Sequence, residues 1–147
     1  MIENKKARHN YQIKETLEAG IVLTGGEVKS IRDNRVQIDD AFVKSISGNL
    51  YLVNADIAKY KYTNDEKYDS LRTRKLLVHR KEIDMLSNKS KQWGMVLIPL
   101  KMYLQRGRVK LLIGLGKGLK KYERKDAEKN KTLDRELHRE RRKYMIQ

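Results

Sequence analysis

Few residues in this sequence are spaced for catalysis. The three histidines, His9, His79 and His138, lie in three separate segments, and no cysteine supports them. Neither zinc-ligand spacing nor a thiolate nucleophile is therefore present. Gly114-Leu115-Gly116-Lys117-Gly118 invites a phosphate-loop reading, but it lacks the Walker spacing and the Lys-Ser/Thr end. Those glycines are expected instead to let a strand end and the chain turn. Asp39-Asp40 and Glu15 are carboxylates without a partner at fixed spacing. What remains is contact chemistry, in which cations stand beside aromatics. Asn4-Lys5-Lys6-Ala7-Arg8-His9-Asn10-Tyr11 forms a basic arm ending in a tyrosine. Arg72-Thr73-Arg74-Lys75 groups three cations at a strand entry, and strand alternation puts Arg72 and Arg74 on one face. Lys101 and Tyr103 share a second face. Such pairs suit phosphate contact with base or ribose stacking, although each taken singly also fits an ordinary solvated surface.

The whole-chain charge favours the contact reading. The 147 residues carry 34 Lys+Arg against 19 Asp+Glu, net +15. That much self-repulsion calls for a polyanionic partner: RNA, DNA or an anionic membrane. Membrane is the weaker choice, because no long stretch joins a basic face to a broad apolar one. The longest apolar run, Met95–Leu100, is too short to cross a bilayer, and no apolar segment follows the N-terminal charges as a signal would require. A cytoplasmic protein is expected.

The elements that must hold these residues read mainly as strands. In Met95–Leu104, Val96, Ile98, Leu100, Met102 and Leu104 form one wholly apolar parity, with Lys101 and Tyr103 on the other. Pro99 requires an edge position or a bulge. Gln105-Arg106-Gly107 turns this strand into Arg108–Gly114, making a hairpin. Ala41–Ile46 and Leu50–Ala55 make a second, and Tyr11–Leu17, Ile21–Leu23 and Arg72–Val78 are further strands. Thr24-Gly25-Gly26-Glu27 fits a capping box and opens a short helix over Glu27–Arg32. His79–Lys89 reads as a second helix. Short antiparallel strands with small inserted helices imply a closed or partly closed barrel of the OB type. After residue 118 apolar residues thin out: residues 117–147 carry 12 Lys+Arg against 6 Asp+Glu, net +6, leaving net +9 for the rest. Two parts follow, a barrel with its arm over 1–118 and a basic tail over 119–147.

Together, Asn4–Tyr11 (NKKARHNY), Glu18–Arg32 (EAGIVLTGGEVKSIR), Arg72–Arg80 (RTRKLLVHR), Gly94–Tyr103 (GMVLIPLKMY), Gly107–Gly114 (GRVKLLIG) and Lys117–Lys125 (KGLKKYERK) resemble the SmpB family of SsrA-binding proteins. The resemblance implies a six-stranded antiparallel OB-type barrel with inserted helices and no catalytic activity or cofactor. It implies a monomer that binds the tRNA-like domain of transfer-messenger RNA (tmRNA). With elongation factor Tu, such a protein delivers tmRNA to stalled 70S ribosomes for trans-translation. By position, Lys5, Arg8, His9, Tyr11, Glu27, Lys29, Arg32, Asn54, Arg72, Arg74, Lys75, Lys101 and Tyr103 would contact tmRNA. Glu27 would combine its capping role with acceptance of a ribose or base hydrogen bond. Lys120, Lys121, Tyr122, Glu123, Arg124 and Lys125 would sit near the decoding centre, in a tail disordered when free and helical in the empty mRNA channel. Gly116, Leu119 and the triplet Glu123-Arg124-Lys125 depart from the family's usual residues. The reading from another class is a structural or assembly protein of the ribosome that binds rRNA permanently.

Overall fold

The computed structural model describes residues 1–63 and 66–119. Of the expected tail over 119–147, all residues but Leu119 lie outside them. Strand β1 (Ile2–Glu3) leads into helix α1 (Lys5–Asn10), strand β2 (Tyr11–Ile21) and helix α2 (Gly25–Arg32). There follow β3 (Val36–Gln37), β4 (Phe42–Ile46), β5 (Asn49–Val53), β6 (Asp56–Ile57), β7 (Arg74–Leu77), α3 (Arg80–Trp93), β8 (Val96–Gln105) and β9 (Arg108–Gly118). One antiparallel sheet runs β1-β8-β9-β2-β7-β5-β4, while β3 and β6 pair separately. Its six longer strands match the expected six, and β4 comes back alongside β8 to curl the sheet into an OB-like barrel.

Both expected hairpins are present, each with a two-residue turn at positive φ. Ser47 (φ 50°) and Gly48 (φ 81°) join β4 to β5, and Arg106 (φ 52°) and Gly107 (φ 76°) join β8 to β9. Two successive left-handed residues give the type I′ geometry whose twist matches the flanking strands. The capping box at the start of α2 is also formed: Glu27 N–H donates to Thr24 Oγ1, and Thr24 N–H donates to Glu27 Oε1.

Four features add to or correct these expectations. First, the basic arm, to which the sequence assigned no element, is folded as β1 and α1. Asn4 is buried, its Oδ1 accepts from Ala7 N–H to cap α1, and its Nδ2 donates to Pro99 O at 2.8 Å. Its own N–H donates to Leu100 O. On its other flank α1 is tied to Asp39 and Asp40, so this helix bridges the seam between β4 and β8. Second, β2 is one continuous strand that ends at Ile21: Glu18, Ala19 and Gly20, in the expected gap, pair with Leu112, Leu111 and Lys110 on β9, and a bulge falls earlier, between Ile13 and Glu15. Third, β9 does not stop at Gly114 but runs on through Gly116 to Gly118. The three glycines pair with Thr16, Ile13 and Tyr11 on β2, and a Cβ on Gly114 would lie 2.8 Å from Leu100 Cδ1. Their job is to admit neighbouring side chains and backbone. Fourth, α3 runs past Lys89 to Trp93, where Gly94 (φ 62°) supplies a left-handed C-cap.

Apolar parity in β8 is also split. A register shift between Pro99 and Lys101 makes the strand exchange faces. Before it, Leu97 points into the barrel while Ile98 and Leu100 pack outside against Ala7 under α1. After it, Met102 is the inward residue, and Lys101 and Tyr103 face out. The barrel interior is filled by Leu50, Leu52, Ile57, Leu76, Met102, Leu111, Ile113 and Leu115, each at most 2% exposed. Full burial of such a side chain contributes about 1.5–3 kcal/mol.

Candidate nucleic-acid interface

Lys5, Arg8 and His9 project from α1 into solvent. Lys6 is held by Asp40 at 2.9 Å, and the hydrogen bond and charge of that carboxylate raise its pKa. Tyr11 is half-buried and packs on Ala7, Ile98 and Leu100, so much of its ring serves the fold. Asn54 adopts a left-handed conformation (φ 63°) and donates through Nδ2 to Asp40 O, bracing the entry to β4.

A second group surrounds Glu27. The resemblance puts Glu27, Arg72 and Arg74 at the RNA, but Glu27 and Arg74 are 1% and 0% exposed. Arg74 Nε donates to Glu27 Oε2 at 2.6 Å, Nη1 to Ala55 O at 2.8 Å, and Nη2 to Ser70 O and Tyr68 Oη. Every guanidinium nitrogen is satisfied, as a buried cation requires. Burial pushes the Glu27 carboxyl up, but hydrogen bonds from Arg72, Thr24 N–H and Arg74 outweigh it and hold the pKa below the usual value. Arg74 and Glu27 are therefore internal struts. Arg72 lies before β7, not on it; it is half-exposed and donates through Nη2 to Glu27 Oε1 at 2.5 Å. Its Nε is buried without a partner among the described residues.

Cross-strand register organises a third group on the outer sheet face. Lys44, Tyr51 and Lys75 stand side by side on β4, β5 and β7. One step along, Leu77, Gly20, Lys110 and Tyr103 line up across β7, β2, β9 and β8. A further row carries Glu18, Leu112 and Lys101. Around Gly20 these rows sink into a groove of about 430 Å³, walled by Glu18, Lys75, Leu77, His79 and Lys110. Leu77 is 56% exposed, an apolar side chain standing between two lysines. Gly20 keeps the groove open, since a Cβ there would come within 3.2 Å of Leu77 Cβ. Tyr103 donates its hydroxyl to Glu18, and that hydrogen bond pushes its pKa up to about 12. Lys101 lies 3.7 Å from Glu3.

Lys75, Lys101 and Tyr103 are thus brought together on the outer face, with Lys75 on the groove wall. Lys29 and Arg32 project from α2, with Lys29 Nζ 4.9 Å from the centre of the Tyr60 ring. The sequence reading missed Glu18, Leu77, His79 and Lys110. Leu77 carried a usable signal, since it shares the outward parity of Lys75. Lys110 needed its pairing with Gly20, which no local pattern gives. Lys120, Lys121, Tyr122, Glu123, Arg124 and Lys125 lie outside the described residues. Among those described, no group of His, Asp and Glu is arranged to hold a metal, and no helix is long and apolar enough to cross a membrane.

Comparison with known proteins gives the chain its family. Residues 1–143 match the family described as SmpB protein. The SsrA-binding protein of Lactobacillus gasseri is 50% identical over 137 residues, covering 93% of this chain and 91% of that one. Its Lactobacillus acidophilus counterpart is 49% identical over 144 residues, covering 98% and 93%. The SsrA-binding protein of Bacillus licheniformis is 50% identical over 137 residues, covering 93% and 87%. Among solved structures, a chain from "tmRNA-SmpB: a journey to the center of the bacterial ribosome" superposes with a TM-score of 0.68 at 42% identity, covering 86% of this chain and 92% of that one. Sequence over nearly its whole length and an OB-like barrel together place this chain in the SmpB family.

Proposed function

We propose that this protein binds the tRNA-like domain of tmRNA and carries it to stalled ribosomes for trans-translation. It acts by holding RNA, without catalysis or cofactor, and works in the cytoplasm, where its ribosomal partner is. The observation that carries the reading is the outer-face groove. Lys75 and Lys110 supply phosphate contacts, Leu77 an apolar seat for a base or ribose, and Glu18 an acceptor for ribose hydroxyls. An acceptor beside two cations is a poor site for a bare polyphosphate and a good one for a folded RNA loop.

The contact set is the exposed part of the sequence assignment: Lys5, Arg8, His9, Lys29, Arg32, Arg72, Lys75, Lys101 and Tyr103, joined by the groove residues. Glu27 and Arg74 support it from inside, and Asn54 and Tyr11 from the barrel entry. Residues 119–147, net +5 by their Lys, Arg, Asp and Glu content, form the second part of the adaptor. In this reading Lys120 to Lys125 approach the decoding centre, the rest follows the empty mRNA channel, and elongation factor Tu accompanies the complex.

Titrating the purified full-length chain against tmRNA and a size-matched unstructured RNA tests this. Tight binding of tmRNA over the control, with restored tagging of stalled chains in cells lacking their own copy, is the expected result. Equal affinity for both RNAs would contradict it.

A further inference from the structure

Away from the groove, two tyrosines and two lysines form a cluster, of which only Lys29 belongs to the contact set above. Tyr60 and Tyr62 meet edge to face, with ring centres 5.4 Å apart. Lys29 Nζ stands 4.9 Å from the centre of Tyr60, and Lys61 Nζ 5.1 Å from that of Tyr62. The segment is fixed at its root: Ser30 Oγ donates to Ala58 O at 2.7 Å, and Ala58 N–H donates to Arg35 O. Tyr60 lies against Gly26, whose missing Cβ leaves room for it, and Thr63 N–H closes a turn onto Tyr60 O. Yet Tyr62 is 71% exposed, the most exposed large aromatic among the described residues.

We infer that Tyr62, braced by Tyr60 and flanked by Lys29 and Lys61, is a stacking platform for an unpaired nucleobase of the bound RNA. This rests on the RNA-binding reading above and adds a contact to it. An open aromatic face accepts any base, and a cation about 5 Å from the ring both polarises it and reaches the phosphate of the stacked nucleotide. The edge-to-face contact with Tyr60 fixes the ring before binding, so little side-chain entropy remains to be lost. The strong positive charge of the chain favours a nucleic acid over a protein as the occupant.

The test is titration of fluorescently labelled tRNA-like RNA from tmRNA with full-length wild-type, Tyr62→Leu, Tyr62→Phe and Lys61→Ala proteins. Tyr62→Leu should lose about tenfold in affinity with an unchanged salt slope, and Tyr62→Phe should recover most of that loss. Lys61→Ala should lower the slope of log affinity against log salt by about one. Leucine binding as tightly as tyrosine, on an RNA that wild type binds, overturns the platform alone. A wild-type chain that does not bind this RNA overturns the RNA reading as well.

Discussion

Arg74 Nε donates to Glu27 Oε2 across 2.6 Å, and neither side chain touches solvent. This pair joins α2 to β7, so it sets the angle at which the cations of α2 meet the outer sheet face. Breaking one half should cost more than removing both. Arg74→Met leaves the buried Glu27 carboxylate to Arg72, Tyr68 and Thr24 N–H and takes the donor from the Ala55 and Ser70 carbonyls, and a loss of about 3 kcal/mol is expected. The double variant Arg74→Met with Glu27→Leu should recover much of it. Urea unfolding of the two single variants and the double variant measures this coupling, and additive losses would refute it.

The same pair gives stability a pH dependence. The folded Glu27 carboxyl titrates below its ordinary value of 4.5. The contribution is therefore present in full above that value and is lost as pH falls from it through the folded pKa. Unfolding free energy should drop over this acid range in wild type. In Glu27→Gln the drop should be smaller, on a lower plateau.

Tyr103 carries an independent reporter. Its hydrogen bond to Glu18 pushes the phenol up to about 12. Glu18→Gln should return one of the eight tyrosines toward 10, read from tyrosinate absorbance in an alkaline titration. An unchanged curve would mean that the two groups do not meet in solution.

At Gly114, packing is tight enough to be tested with a single methyl. Ala at this position would bring a Cβ within 2.8 Å of Leu100 Cδ1, so Gly114→Ala should cost about 1–3 kcal/mol. Adding Leu100→Ala to Gly114→Ala should cost less than Leu100→Ala costs wild type. Thermal unfolding of the four proteins decides it.

Local pattern sufficed wherever structure is local. The Thr24–Glu27 box and the turns at Ser47-Gly48 and Arg106-Gly107 depend on neighbours within a few residues. It failed where a distant strand decides. Pro99 signalled an edge position or a bulge, but only the register with β9 shows a bulge that exchanges the faces of β8. The glycines of β9 read as breakers because Leu100, Ile13 and the Gln12 carbonyl, which crowd them, lie far off in sequence. Alternation put Arg72 and Arg74 on one face of a strand, yet β7 starts at Arg74, whose parity points inward, while Arg72 reaches Glu27 from the preceding loop. A buried arginine is so costly without partners that sequence alone argues against it. Here Glu27, Ala55, Ser70 and Tyr68 supply those partners. In the candidate site the cations were legible from composition, but the groove between them was not, because Gly20, Leu77 and Lys110 meet only by pairing.

The groove is tested most directly by the salt dependence of tmRNA binding in Lys75→Ala/Lys110→Ala. Both side chains lie on the surface side of the sheet, so the fold should survive. The double variant should bind about tenfold to a hundredfold more weakly than wild type at moderate salt. Its slope of log affinity against log salt should fall by about two. Wild-type affinity and an unchanged slope, in a variant with wild-type thermal stability, would contradict the assignment of this face to tmRNA.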